Sequence, residues 1–334
     1  IIVVDDGSED RTYEIAKKYT KKVFKIEHSG KARACNFGIE KAKGEFILIL
    51  DSDTTIEKDF FEKTLSYFED KKVAAVTPMV KSRKEKKLSI LETFQNIEFC
   101  FQSVIKLGFS TLKRGCLSIY GVATIYRANV LKSIKFNENS IVEDFDMAIS
   151  LQKNGYKISV SRAFAYTNFY SNIKKLFLQR VRWSLGVLKS LIKNKNLFFK
   201  EDSLGLYSFP TSFFWYPFIL ISFPSILYQI FYWLPENIFE IPFYLFKWFS
   251  IAGPINSLIM LPVWGVKLYI ILGSLSGLLP FILTVISLKI TKELNVKNFL
   301  FSCFIFPYYF FIINIAIVLS VFLFFLKINL KWYK

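Results

Sequence analysis

Phe46-Ile47-Leu48-Ile49-Leu50 runs without a polar residue into Asp51-Ser52-Asp53. An apolar run that ends abruptly in two carboxylates reads as a buried strand with acidic side chains at its carboxyl end. The chain opens the same way: Ile1–Val4 is a short β-branched run closed by Asp5-Asp6-Gly7-Ser8. Between these runs, Asp10–Tyr19 has helical spacing with Ile15, Ala16 and Tyr19 on one face, and Phe24–Ile26 reads as another strand. Ala32–Lys43 is a helix stopped by Gly44, and Val73–Val76 is one more short apolar run. Strand and helix alternating in this rhythm predict an α/β domain with a mostly parallel sheet. In such sheets ligands sit beyond the carboxyl ends of the strands, where both acidic pairs fall.

The 334 residues suffice for one large or two modest domains. At 52% hydrophobic and 18% aromatic, the composition excludes a disordered, collagen-like or low-complexity chain. Four cysteines (Cys35, Cys100, Cys116, Cys303) with no C-x-x-C pair argue against a disulfide framework and a structural zinc site. A single histidine, His28, excludes any two-histidine mechanism and reads as a surface or packing residue. The chain starts at Ile1 inside an apolar run with no signal-peptide region before it, so the expectation is a truncated longer chain.

Charge divides the chain. Residues 203–334 hold eight Lys or Arg against three Glu, +5 of the total +17, which leaves +12 for the first 202 residues. Leu204–Leu234, Trp248–Val266, Leu268–Leu288 and Phe299–Leu326 are uncharged, and about 20 apolar residues cross a bilayer. Four spans are therefore expected, at 204–234, 243–266, 268–288 and 299–326. Gly253, Pro254, Asn256 and Pro262 leave the second open as a bent or re-entrant segment. The expected organisation is a domain at 1–165, an interfacial segment at 166–202 and a transmembrane region at 203–334. Lysines Lys189–Lys200 before the first span place the α/β half in the cytoplasm of a cell-membrane protein. Four spans then put the Glu236–Glu240 loop and the Lys289–Lys297 loop outside and the tail Lys327–Lys334 inside. Leu188, Leu191, Ile192, Leu197 and Phe198 alternate with lysines, a pattern suited to a membrane surface. The basic run Lys81–Lys87 reads as a solvated loop or as a contact for anionic headgroups.

Each acidic motif has two readings. Asp5-Asp6 can serve a ligand or simply form a turn. Asp51 and Asp53 can share a hard divalent cation, or form an Asx-turn leading to the helix at Phe60–Phe68. Glu143, Asp144 and Asp146 can hold a catalytic base, or be the acidic first turn of a helix running to Lys153. Gln179-Arg180-Val181-Arg182-Trp183 brings a donor, a cation suited to diphosphate and a flat ring close to an apolar stretch. Its bland reading is an interfacial Arg/Trp anchor.

In order, Asp5-Asp6-Gly7-Ser8, Gly30-Lys31-Ala32, Asp51-Ser52-Asp53, Glu143-Asp144 and Gln179-x-x-Arg182-Trp183, followed by apolar spans, resemble the membrane-bound family 2 glycosyltransferases. This group includes the synthases of cellulose, hyaluronan and poly-N-acetylglucosamine. Gly121–Arg127 is similar to the segment those enzymes carry between the metal motif and the base. The resemblance implies a GT-A-like fold and an inverting sugar transfer from a nucleotide sugar, UDP-linked by expectation. It implies that Asp5, Asp6, Lys31 and Asp51 contact the donor, and that Asp51 and Asp53 bind Mg²⁺ or Mn²⁺. Asp144 would be the base with Glu143 beside it, while Gln179, Arg182 and Trp183 would line the acceptor and diphosphate side. The family's opening strand is expected before this stretch, and the gating-loop motif and carboxyl-terminal regulatory domain expected of bacterial cellulose synthases are not found in it, which argues against that identity.

An inverting transfer needs one carboxylate to take a hydroxyl proton and a charge to steady the leaving diphosphate, which these residue types can supply. The expected partners are a nucleotide sugar, a saccharide or glycolipid acceptor and membrane lipid. Nucleic acid is disfavoured, because no recognition fold accompanies the basic residues. A polyprenyl-phosphate sugar transferase would use the first motifs but not the Gln-x-x-Arg-Trp element. A transporter or membrane scaffold explains the spans and the charge, but not the acidic and aromatic motifs.

Overall fold

The computed structural model describes residues 1–83, 87–200, 204–265 and 267–328. The chain forms two compact units that interleave along the sequence, in place of the expected consecutive segments cut at 165 and 202. The first comprises residues 1–80, 106–168 and 189–210, and the second 81–105, 169–188 and 211–334.

In the first unit, β1 (Val3–Asp6) pairs in parallel with β2 (Val23–Ile26), flanked by α1 (Thr12–Lys17) and α2 (Lys31–Lys41). A five-stranded sheet follows, built from β3 (Phe46–Leu50), β4 (Thr55–Ile56), β5 (Val73–Ser82), β6 (Ala123–Arg127) and β7 (Lys157–Thr167). Its order is β3-β6-β5-β7-β4. The fold is the expected α/β, GT-A-like one, but the sheet is mixed rather than mostly parallel. β6 runs antiparallel between β3 (Phe46↔Arg127 to Leu50↔Ala123) and β5 (Val76↔Ile125), and β4 runs antiparallel to β7. Short apolar runs announce strands but carry no direction, so the inserted antiparallel strand had no sequence signature.

Alternation along the strands sends side chains to two apolar layers. Ile47, Tyr126, Ile158 and Val160 pack with Ile39 of α2, Leu131 of α5 (Ala128–Ile134) and Met147 and Leu151 of α6 (Glu143–Lys153). Phe46, Leu48, Ala123, Ile125 and Ala163 pack on the other face with Phe68 and with Phe60 of α3 (Phe60–Leu65). Covering both faces anchors the sheet, and the acidic loops project from its end.

The second unit contains most of α4 (Ile90–Phe109) and α7 (Ile173–Lys193), whose residues Ile97, Cys100 and Leu176 pack with Leu288, Ile305, Tyr308 and Ile312. Val181 and Leu185 pack with Ala316 and Leu323. Lys81 is 2% exposed and its ammonium lies 3.4 Å from Glu293, so it belongs to β5 and not to a solvated loop. Lys84, Glu85 and Lys86 of that basic run lie outside the described residues, as does the tail from residue 329. The stretch 186–200 also differs from expectation: Leu188, Leu191 and Leu197 are buried in protein.

Among the described residues three helical stretches are long and apolar enough to cross a membrane: Leu204–Tyr232, Ile270–Ile290 and Phe306–Phe325. The first holds a π-helical turn and α8 (Phe209–Tyr232), and large side chains such as Phe218, Ile221 and Phe231 are exposed on it. The segment expected as a second span is instead three short helices, α9 (Ile241–Trp248), α10 (Ala252–Ile259) and α11 (Leu261–Trp264). A Cβ on Gly253 would lie 2.2 Å from the Lys247 carbonyl oxygen, a tight turn that only glycine permits. The next stretch lies in α12 (Leu268–Ile290). The last expected span breaks after α13 (Val296–Cys303), because Pro307 opens a new helix. That helix comprises α14 (Phe306–Tyr308), a π-helical turn and α15 (Ile315–Phe325).

Candidate active site

Three carboxylates of the first unit gather around one lysine. Lys31 opens α2, and its ammonium lies 2.5 Å from Asp51 Oδ1 and 3.7 Å from Glu143 Oε1. It also donates to the Gly121 carbonyl at 2.9 Å. Burial disfavours the ammonium, but Asp51, Glu143 and Asp144 outweigh it and raise the lysine's pKa. Asp51 responds in kind: burial pushes its carboxyl above the usual range against the pull of Lys31, and Asp53 and Asp144 add to the rise. The centre therefore holds more negative charge than one lysine neutralises.

Backbone geometry positions these groups. Asp51 ends β3, where its N–H donates to the Val122 carbonyl at 2.9 Å. Asp53 Oδ1 accepts from Thr54 at 3.3 Å and from Thr167 at 3.5 Å, both through hydroxyls. Glu143 and Asp144 occupy the first turn of α6, as their helical reading anticipated. The Gly121 N–H donates to Asp144 Oδ2 at 3.2 Å, and a Cβ on Gly121 would press against that oxygen at 3.0 Å and Lys31 Nζ at 3.4 Å. The start of α6 therefore also faces the centre. Beside it the Lys106 ammonium lies 3.3 Å from the Tyr120 ring centroid, and burial pushes its pKa down to about 8. No motif marked Lys106 in the sequence.

Asp5 and Asp6 divide their work. Asp6 accepts from the Ser29 N–H at 2.8 Å and the Gly30 N–H at 2.9 Å, which ties β1 to the turn before α2. Burial raises its pKa, but those donors outweigh it and hold the carboxyl below the usual range. His28 sits 3.1 Å from the same carboxylate. Asp5 is 3% exposed; its Oδ1 accepts from the Ser8 N–H at 3.0 Å, and its Oδ2 is buried without a hydrogen-bond partner. An orphaned buried acceptor is costly and invites a ligand donor.

Among the described residues, no three His, Cys, Asp or Glu side chains are grouped to hold a metal unaided. The donor set still suits a hard cation: carboxylate oxygens of Asp51 and Asp53 in an acidic centre where an ammonium already sits. Mg²⁺ commonly takes one or two carboxylates and completes its shell with substrate phosphates.

Residues 1–134 match the family model described as glycosyl transferase family 2. They are a family 2 glycosyl transferase domain. The chain resembles poly-β-1,6-N-acetyl-D-glucosamine synthases: 32% identity over 215 residues with that of Staphylococcus epidermidis and 29% with that of Staphylococcus aureus strain COL. Each match covers 62% of this chain and 52% of the relative, so the chain spans about half the length of those relatives. The fold is similar to a mannosyltransferase of Pyrobaculum calidifontis, solved with GDP-Man and Mn²⁺, at a TM-score of 0.57 and 13% identity, over 98% of this chain and 78% of that one.

Outside the family 2 domain match, Gln179, Arg182 and Trp183 lie on α7 in the second unit, at i, i+3 and i+4, and therefore share one face of the helix. All three are half-buried. The Trp183 ring meets Phe99 edge-on at 6.4 Å, and the Arg180 guanidinium lies over it at 4.6 Å. Arg180, a variable position in the expected motif, is the buried arginine of the pair.

Proposed function

We propose that this chain transfers a sugar from a nucleotide sugar to a hydroxyl of a saccharide or glycolipid acceptor at a membrane, with inversion and with Mg²⁺ or Mn²⁺. The observation that carries the reading is the Lys31–Asp51–Glu143–Asp144 centre built around Gly121. In this reading the buried Asp5 Oδ2 accepts a hydrogen bond from the nucleoside, and Asp6 holds the turn that shapes its pocket. Asp51 and Asp53 hold the divalent cation, which when bound neutralises the leaving diphosphate. Lys31 adds a fixed positive charge beside it. Asp144 takes the proton of the acceptor hydroxyl as its oxygen bonds the sugar's anomeric carbon and the bond to diphosphate breaks. Attack opposite the leaving group inverts the anomeric centre, so one base suffices and no second nucleophile is required.

N-acetylglucosamine is the first donor sugar to test, as the relatives' names suggest. Membranes carrying the full chain should release UDP from UDP-N-acetylglucosamine in a panel that also holds UDP-glucose and GDP-mannose. Turnover of none of them overturns the proposal.

The acceptor side rests on Trp183. A flat indole presents a face to the C–H side of a sugar ring, so Trp183→Ala should lower transfer about two- to tenfold, stacking being worth roughly 0.5–1.5 kcal/mol per aromatic pair. UDP release without acceptor should persist. An anchoring role predicts instead a lower membrane yield with transfer per folded molecule unchanged. Arg182→Ala should depress both reactions.

We further infer that residues 291–297 lie on the same side of the membrane as Lys81, Leu88 and Asn96, in place of the external placement expected from four spans. Glu293 pairs with Lys81 at 3.4 Å and accepts from Asn96 at 3.4 Å, and Lys297 donates to the Leu88 carbonyl at 3.2 Å. In a cysteine-free background, Leu294→Cys should resist an impermeant maleimide in intact cells and react in inverted vesicles. Labelling in intact cells overturns this topology.

A further inference from the structure

Arg180 is buried in the second unit, and the groups around it reach from α4 to the start of the third apolar stretch. Its Nη2 donates to Glu98 Oε2 at 2.6 Å and to the Tyr308 hydroxyl at 3.1 Å. The Tyr308 hydroxyl in turn donates to the same Glu98 oxygen at 2.5 Å. Glu98 is 3% exposed and Arg180 is 6% exposed. The guanidinium also faces rings, 4.6 Å from the Trp183 centroid and 5.8 Å from that of Phe99. Its Nε is buried with no hydrogen-bond partner, so on that side the cation is met by π faces.

Stability does not account for such an arrangement. A buried ion pair loses much of its Coulombic gain to desolvation, and apolar residues of the same volume often serve as well. What the pair supplies is direction. Glu98 and Tyr308 hold the guanidinium plane from one side, and the guanidinium and Phe99 together restrict the indole at Trp183. Phe94 stacks on the Tyr308 ring at 5.6 Å and 19°, and Phe169 packs on Phe99 at 5.0 Å, so neither support is free to swing.

We propose that Glu98, Arg180 and Tyr308 form a positioning triad that fixes the Trp183 indole as the surface against which the acceptor sugar rests. The inference depends on Trp183 serving the acceptor, as proposed above. Tyr308 opens the third apolar stretch, so the triad ties the acceptor surface to a membrane-type helix through two hydrogen bonds.

The test uses the full chain in membranes, with UDP-N-acetylglucosamine and a short β-1,6-linked N-acetylglucosamine oligosaccharide as probes. Tyr308→Phe removes one hydroxyl and keeps the stack on Phe94. The double variant Glu98→Gln/Arg180→Met removes both charges at nearly constant volume. Loosening a substrate-positioning group by about 1 Å can cost up to 10²-fold, so the oligosaccharide KM should rise about tenfold or more in both variants. UDP release without acceptor should stay within about twofold, because the loss belongs to acceptor placement. If Trp183→Ala raises that KM but neither variant does, the triad is structural and the proposal is overturned by itself. If Trp183→Ala leaves the KM unchanged, the acceptor reading of Trp183 has failed and the triad falls with it. Tyr308→Phe is conservative enough to report even where the double variant does not fold.

Discussion

Asp144→Asn is expected to slow sugar transfer by about 10²–10⁴ while leaving donor binding almost unchanged. The substitution keeps the size of the side chain and one oxygen, which can serve the Gly121 N–H at 3.2 Å, and gives up the acceptor for the Phe145 N–H at 2.8 Å. What disappears is the capacity to take a proton from the acceptor hydroxyl. Donor titration and single-turnover transfer on matched amounts of folded protein separate the two quantities. Glu143 is the internal control, since its carboxylate reaches the Lys31 ammonium at 3.7 Å. Near-normal transfer in Asp144→Asn, together with loss in Glu143→Gln, would reassign the base within the pair.

The second large effect is metal removal. Excess chelator is expected to abolish UDP release, and added Mg²⁺ or Mn²⁺ should restore it. Asp51→Asn should mimic chelation in part, and its loss should be only weakly rescued by raised metal concentration. That substitution also deprives Lys31 of its nearest counter-charge, 2.5 Å away, while Glu143 at 3.7 Å stays beside it. Asp53→Asn removes a carboxylate without touching that ion pair, so comparison of the two separates metal binding from the lysine contact. Turnover that persists in excess chelator removes Asp51 and Asp53 from a metal-binding role.

Much of the catalytic half was legible because its signals are local. An apolar strand followed by carboxylates is a contiguous pattern, and Asp5-Asp6 and Asp51-Ser52-Asp53 both stand at strand ends, where they were expected. The acidic first turn of α6 was legible for the same reason. Strand direction was not, because β6 enters the sheet antiparallel between two strands that it follows in sequence. The second expected span, already open as a bent segment, departs from a single helix on similar grounds. Residues 243–266 carry no acidic side chain and Lys247 as their only basic one, but Pro254, Pro262 and the close turn at Gly253 break them into short helices.

Some assignments needed distances between residues far apart in the chain. Asp5 and Asp6 are adjacent and chemically identical, yet Asp6 is consumed by the Ser29–Gly30 turn and Asp5 retains a buried oxygen without a partner. Glu98 and Tyr308 lie in segments that no motif distinguishes, 210 residues apart, and meet on one arginine. Sequence alone determined the charged and apolar halves, the residue types of the acidic centre and the order in which they occur, since each depends only on neighbouring side chains. Tertiary structure decided the mixed sheet, the three apolar stretches, the different duties of Asp5 and Asp6 and the cation beside Trp183. Those features arise from pairings across the fold, where burial and distance set the energy and chain order carries no record of either.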